Sequence, residues 1–348
     1  MIKILISVFS ALLLFSCSSK ESKKTMGDPT DSKVKLIFET DMGNDVDDAL
    51  ALDMVYKYIE ADKVDLLGIM SNKDNPFSAE FIDVMATWYG HTDIPIGVVK
   101  NGADSEGDAI NYAEKVCELK EDGQPLFKRT LSDYESLPAA PLLYREILSQ
   151  QPDSSVVIVS VGFSTNIAQL LDTQGDKYSS LNGKDLVAKK VKMLSIMAGS
   201  FGENPVTEYN VAKDINAAKK VFEEWPTEII VSPFELGIKI LYPESSISDD
   251  FNWGMKHPMV EAYKAYLPIP EDRPTWDLTS LMYVVENDGD YNESSPGNVT
   301  VDDKGYTNFD KDSKGKHILL SVTDQQAEEI KTYFVDLIKR KPLKYESE

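Results

Sequence analysis

From Val34 onward, apolar and polar positions alternate in blocks, and the block lengths predict the elements. Short runs rich in branched residues, bounded by turn-forming ones, read as buried strands at 34–40, 64–71, 94–99, 156–161, 191–197 and 228–232. Between them, stretches with apolar residues three and four apart read as helices at 46–59, 77–89, 141–150, 164–171 and 215–224. Strand and helix alternating in this way predict an α/β fold, a mainly parallel sheet with helices on both faces. Ligands of such sheets bind outside the carboxyl ends of the strands. The segment 294–322 reads as strands and a turn. Its acids around Asp310 and Asp312 miss calcium-loop spacing, so a solvated hairpin is expected there.

The N-terminus follows a different pattern. Lys3 followed by the apolar run 4–15 reads as a secretion signal over 1–16, too short to stay as a permanent span. Leu14-Phe15-Ser16-Cys17 resembles a bacterial lipobox, which implies lipidation of Cys17 and a lipid-anchored place in the bacterial cell envelope, periplasmic or outer-membrane. Residues 17–33 are polar and read as a flexible tether. One α/β domain over 34–343 follows, long enough to bury a large core. With Cys17 in the lipobox, only Cys117 remains, so neither a disulfide framework nor a zinc site is available, and Cys117 reads as a buried thiol. A net charge of -22 repels phosphates and excludes a nucleic-acid polymer as partner, but it places no bar on a neutral small molecule.

The chemistry concentrates directly after the first strand. Glu39, Asp41, Asp45, Asp47 and Asp48 crowd five carboxylates into ten positions. Carboxylates held that close keep protons, splay into water or close around a cation. Gly43 offers a turn, Asn44 or Asp45 could cap a helix starting near Val46, and Asp47 and Asp48 would then occupy a first helical turn, where anions are favoured. The donors are all oxygens, which points to a hard ion, Ca²⁺ or Mg²⁺. An EF-hand fails on spacing, because the sixth position from Asp41 is Val46 and the twelfth is Leu52. A phosphatase built on an acid-x-acid strand end stays open, with Glu39 in the nucleophile's place.

The run Glu39-Thr40-Asp41-Met42-Gly43-Asn44-Asp45-Val46-Asp47-Asp48-Ala49-Leu50 resembles the signature of the inosine/uridine-preferring nucleoside hydrolases, Asp-x-Asp-Pro-Gly-x-Asp-Asp-Ala. Glu39 and Met42 depart from it, and two extra residues stand before Asp47-Asp48, which leaves the role of Asp45 open. Three further segments keep the family's order. Val161-Gly162-Phe163-Ser164-Thr165-Asn166 resembles its Thr-Gly-Pro-Leu-Thr-Asn turn, Glu208-Tyr209-Asn210 its ribose-binding Glu-Phe-Asn, and Thr275-Trp276-Asp277 the place of its last acidic ligand.

The resemblance implies a Rossmann-like nucleoside hydrolase fold with a Ca²⁺ site built from Asp41, Asp48, Asp277 and the main-chain carbonyl of Val161. It implies that Asp41 serves as the catalytic base and that Asp47, Glu208 and Asn210 hold the ribose. Asn204 and Asn75 join them, Asn75 in competition with Asn72 and Asp74. Trp276 stands where many purine-preferring members carry a histidine, so it can stack on a base but cannot protonate it. His257 lies in a region that often approaches the site. The segments 93–96 and 234–237 resemble architectural parts of the family.

The implied reaction is hydrolysis of the N-glycosidic bond of a ribonucleoside by water activated at calcium, with inversion and no protein nucleophile. A lipid-anchored, calcium-dependent sugar- or nucleoside-binding protein without turnover is the alternative. Self-association into a homo-oligomer is compatible with either.

Overall fold

Period-two burial along the first strand sets the layers of the molecule. In β1 (Val34–Thr40), Leu36 and Phe38 face one apolar cluster and Ile37 faces another, so the sheet is covered on both sides. The computed structural model describes residues 33–103, 111–267, 271–286 and 289–346. The predicted signal, Cys17 and all of the tether except Lys33 lie outside the described residues.

Among the described residues ten strands form one sheet: β1, β2 (Val64–Ser71), β3 (Ile96–Val98), β4 (Val156–Ser160), β5 (Val191–Met197), β6 (Glu228–Ser232), β7 (Asn292–Glu293), β8 (Gly297–Val301), β9 (Thr307–Lys311) and β10 (His317–Ser321). Their order is β9-β8-β10-β6-β5-β4-β1-β2-β3, with β7 beside β10. From β10 to β3 every pairing is parallel; β7 and β8 run against that direction, and β9, antiparallel to β8, runs with it. The segment expected as a solvated hairpin is therefore part of the sheet. β8 and β9 make an edge hairpin, and β10 pairs with β6 because its apolar run His317-Ile318-Leu319-Leu320 can be covered on both faces.

One cluster gathers apolar residues of the helices Asp47–Glu60, Pro76–Tyr89, Pro258–Tyr266, Trp276–Val285 and Asp324–Ile338. The other gathers those of Ala140–Gln150, Thr165–Asp172, Gly183–Lys190 and Ile215–Glu224. Each large side chain buried in these clusters contributes about 1.5–3 kcal/mol relative to exposure. Cys117 is 6% exposed and lies in the first cluster. Among the described residues no helix is long and apolar enough to cross a membrane.

The strand order places the site. After β1 the chain builds β2 and β3 on one side, then crosses back to build β4, β5 and β6 on the other. The loops leaving β1 and β4 therefore diverge, and a crevice opens between the carboxyl ends of these two neighbours.

Candidate active site

Asp41 is the first residue beyond β1 and Val161 the first beyond β4, so the crevice opens between them. Gly43 turns the chain with φ of 117°, a value that favours glycine, and the helix Asp47–Glu60 begins there. Gly162 lets the two loops meet: a Cβ on it would come within 2.7 Å of Asp41 Oδ1 and 2.5 Å of Asn72 Oδ1. The N-terminus of a second helix, Trp276–Val285, converges on the same place, and its Asp277 N–H donates to Asp47 Oδ2 at 3.1 Å. Two helix N-termini thus aim their free N–H groups at one carboxylate cluster. Oxygens of Asp47, Asp48 and Asp277 lie within 4.8 Å of one another.

Burial is the main electrostatic force on these groups. Asp41, Asp47, Asp48 and Asp277 are each at most 4% exposed. Loss of water pushes the Asp41 carboxyl up to about 6, even though Asn44 donates to it and the Lys73 charge pulls the other way. Asp47, Asp48 and Asp277 are pushed well up, first by burial and then by one another's charge or that of Asp41 and Asp45. Thr40 donates its hydroxyl to Asp48. Buried oxygen donors so poorly compensated are suited to a hard divalent cation, which would restore their ionised forms. The residues that could hold one are Asp48, Asp277, Asp47 and Asp41, with the Val161 carbonyl, which also accepts from Asn210 Nδ2 at 3.1 Å.

These groups line a cavity of about 370 Å³, large enough for a small molecule. Glu208 and Asn210 line the same cavity. Glu208 caps the short helix Tyr209–Lys213: its Oε1 accepts from Asn210 N at 2.7 Å and its Oε2 from Gly199 N and Val211 N at 3.1 Å each. Burial raises its carboxyl to about 7 against those N–H bonds. Its aromatic lining is Tyr209, Phe234, Tyr266 and Trp276. The Trp276 ring stacks on Phe234 with centroids 5.5 Å apart, and its Nε1 donates to the Phe234 carbonyl at 2.9 Å, so the indole is a fixed wall.

A cavity lined by carboxylates, hydroxyl-binding groups and stacked rings suits a sugar joined to a flat aromatic group. The sequence profile of the inosine-uridine preferring nucleoside hydrolases matches residues 36–335. The chain belongs to this family.

Solved structures of nucleoside hydrolases agree in fold. A plant nucleoside hydrolase superposes with a TM-score of 0.68 at 17% identity, covering 89% of this chain and 100% of that one. A purine-preferring ribonucleoside hydrolase from Gardnerella vaginalis gives 0.66 at 17%, covering 88% and 99%. An inosine-uridine preferring nucleoside hydrolase from Bacillus anthracis gives 0.59 at 17%, covering 88% and 100%. No curated protein sequence matches this chain. Membership makes the chain an N-glycosyl hydrolase by family.

Within this nucleoside hydrolase framework several expected site residues sit elsewhere. Asn75 does not line the cavity: it caps the helix Pro76–Tyr89, accepting from Phe77 N at 2.9 Å. Its competitor Asn72 is fully buried beside Asp41, and both ends of its amide lack a hydrogen-bond partner among the described residues. Asn204 is exposed and does not line the cavity, because the loop carrying it bends outward before Glu208. His257 is buried away from the site. Its Nδ1 caps the helix Pro258–Tyr266, its Nε2 lies 3.1 Å from Asp53 Oδ1, and Trp88 packs on its ring at 4.0 Å.

Neither Asn44 nor Asp45 caps the helix Asp47–Glu60. Val46 occupies the N-cap with no side-chain bond, and the Asp47 N–H reaches Asp45 Oδ1 only at 3.5 Å. Asp45 instead pairs with Arg273, whose Nε donates to it at 2.9 Å and which lies over the Tyr266 and Trp276 rings. Phe234, expected to be architectural, is a wall of the cavity. Glu39 turns to the other face of the sheet, accepts from the Tyr144 hydroxyl at 2.7 Å and is absent from the cavity lining. A phosphatase using Glu39 and Asp41 side by side loses its geometry.

Lys73, Arg273 and Tyr266 are neighbours of the site that sequence reading missed, and Asn44, expected only as a possible helix cap, bonds Asp41 instead. Lys73, Arg273 and Tyr266 belong to no spaced motif, and Lys73 and Arg273 stand 32 and 232 residues from Asp41 in the chain. The one available signal was that buried acids need cations near them.

Proposed function

We propose that the protein is a calcium-dependent ribonucleoside hydrolase that releases free base and ribose. The observation that carries this reading is the convergence of Asp41, Asp47, Asp48 and Asp277 in one cavity that is also lined by aromatic rings. A bound calcium ion, held by Asp48, Asp277, Asp47, Asp41 and the Val161 carbonyl, would supply Lewis-acid chemistry at the sugar. Asp41 takes the proton of the attacking water, a task suited to a carboxylate held in place by the Asn44 amide at the crevice. Asn210 and Asp47 hold ribose hydroxyls. Glu208, with three N–H groups already on its carboxylate, orients Asn210 and accepts from the sugar with its remaining lone pairs. This grip tightens as the ring flattens and gains positive charge, and so favours the transition state over the ground state. Trp276 and Phe234 stack on the base.

The alternative is a calcium-dependent nucleoside- or sugar-binding protein without turnover. It is favoured by one observation: no histidine lines the cavity, and the Trp276 N–H is spent on Phe234, so neither can protonate a leaving base. Lipidation at Cys17 would hold either protein at the bacterial cell envelope, a reading that rests on the lipobox alone.

The test is ribose release from a panel of purine and pyrimidine ribonucleosides, beside the Asp48→Ala protein and metal analysis of the untreated enzyme. Release that disappears in the variant supports hydrolysis and identifies the preferred base. No release with one calcium bound per chain would leave the binding protein.

A further inference from the structure

Asn44 stands in the stretch by which this chain's acidic motif exceeds the family's usual form, and it joins two groups that the strand order brings together. Its Nδ2 donates to Asp41 Oδ2 at 2.6 Å, and its Oδ1 accepts from the ammonium of Lys73. Lys73 lies just beyond the carboxyl end of β2, the neighbour of β1, in a loop pinned by Asn72 N on the Thr40 carbonyl at 2.9 Å and by Asn75 N on the Lys73 carbonyl at 2.9 Å. At 2% exposure its charge is held inside the protein.

We propose that Lys73, acting through the Asn44 amide, is a positioning residue for Asp41, fixing which carboxylate oxygen is engaged and which is left for the reaction. The inference rests on Asp41 being the base of the proposed hydrolysis.

The argument is one of donors and acceptors. An ammonium can only donate, whereas a side-chain amide has one accepting and one donating end. With Lys73 beside it, Asn44 must turn its oxygen to the lysine, and its NH₂ is then committed to Asp41 Oδ2. Asp41 Oδ1 is left on the side of Gly162 and Asn72, free of the amide. A reversed amide would set two oxygens against each other at Asp41 and bring the NH₂ against the ammonium, so the lysine selects the orientation electrostatically. Both bonds involve a charged group, which makes them stronger than neutral ones. The lysine charge also favours the ionised Asp41, in the same direction. Outer groups that orient a functional carboxylate are where conservative substitutions lower turnover without removing any group that touches substrate.

The experiment compares Lys73→Met, Lys73→Arg, Asn44→Ala and the double Lys73→Met/Asn44→Ala variant on the ribonucleoside that the wild type cleaves best, with calcium saturating. Lys73→Met and Asn44→Ala should each lower kcat by about 10- to 100-fold with KM nearly unchanged. The double variant should be no slower than the slower single one, because both changes break one relay. Lys73→Arg should recover most of the rate. A kcat within about twofold of wild type in either single variant, or losses that multiply in the double, would overturn the proposal.

A second readout needs no turnover. The Asn44 side-chain NH₂ resonances, assigned by their loss in Asn44→Ala, should exchange slowly in the wild type and rapidly in Lys73→Met. Equal exchange in both would sink the relay even if Lys73→Met were inactive through misfolding. If no nucleoside is cleaved by the wild type, the proposed reaction fails, and the relay is decided by this exchange alone.

Discussion

Removing calcium should make the protein's stability depend on pH in a direction the buried carboxylates dictate. In the folded, metal-free chain Asp41 is raised from the ordinary 3.8 to about 6. A carboxyl raised in this way leaves stability intact below its unfolded value and removes it as pH climbs through the folded one. Between pH 4.5 and 7.5, Asp41 alone removes about 2 kcal/mol, which for a chain of this size is roughly 3 °C in Tm. Asp47, Asp48 and Asp277 are also raised and add in the same direction. Calcium cancels the loss, because a cation at the cluster stabilises the ionised carboxylates. Buried His317, pushed down to about 4, works the opposite way, gaining stability as pH rises, but equally in both forms. The quantity to read is therefore the Tm of the calcium-loaded protein minus that of the chelated one, by calorimetry at pH 4.5 and 7.5. That difference should widen by roughly 3 °C or more at the higher pH. A difference that stays constant or narrows would refute the reasoning, since the acids would then not be forced to ionise together.

Other outcomes follow from single contacts. Asp41→Ala should abolish ribose release while leaving Tm in chelator at pH 7.5 unchanged or higher, because the variant drops a carboxylate that burial penalises; a lowered Tm would mean that Asp41 also holds the fold. Arg145 is almost fully buried and donates to both oxygens of Asp176 and to the Ser179 and Leu181 carbonyls. Arg145→Met should therefore cost about 1–3 kcal/mol in urea unfolding at neutral pH, the charge-assisted bonds being lost while the Asp176 carboxylate stays in water. Arg145 also holds the Asp176 carboxyl far below its usual range, so the pair's contribution is whole above that range and declines steadily as pH falls through and below it, where the unfolded chain takes up the proton first. His257→Gln should lower Tm through its lost contacts with Asp53 and Trp88 yet leave kcat unchanged, and a fall in kcat would bring His257 back into the site.

What the chain by itself determined is local in sequence. β1, β2, β5, β6 and the helix Ile215–Glu224 begin and end where the apolar pattern predicts, because burial on one face or both leaves a period that a single segment carries. Asp41, Asp47 and Asp48 were legible for the same reason: they fall on the turn and first helical residues after one strand. Asp277, Glu208 and Asn210 were legible only through resemblance, since each alone is an ordinary polar residue. Tertiary structure decided the rest. Asn72 rather than Asn75 lies beside Asp41, and Asn75 is taken by a helix cap that no periodicity reveals. Glu39 lies on the opposite face of the strand from its neighbour Thr40, which donates to Asp48, and Tyr144 receives it from a helix far along the chain. His257 went to the core because its two nitrogens found a cap and a carboxylate there. Lys73 and Arg273 are the clearest case. A charge's partners are set by distance in space, and the strand order that places β2 beside β1 and brings the helix Trp276–Val285 over the crevice is a property of the whole sheet.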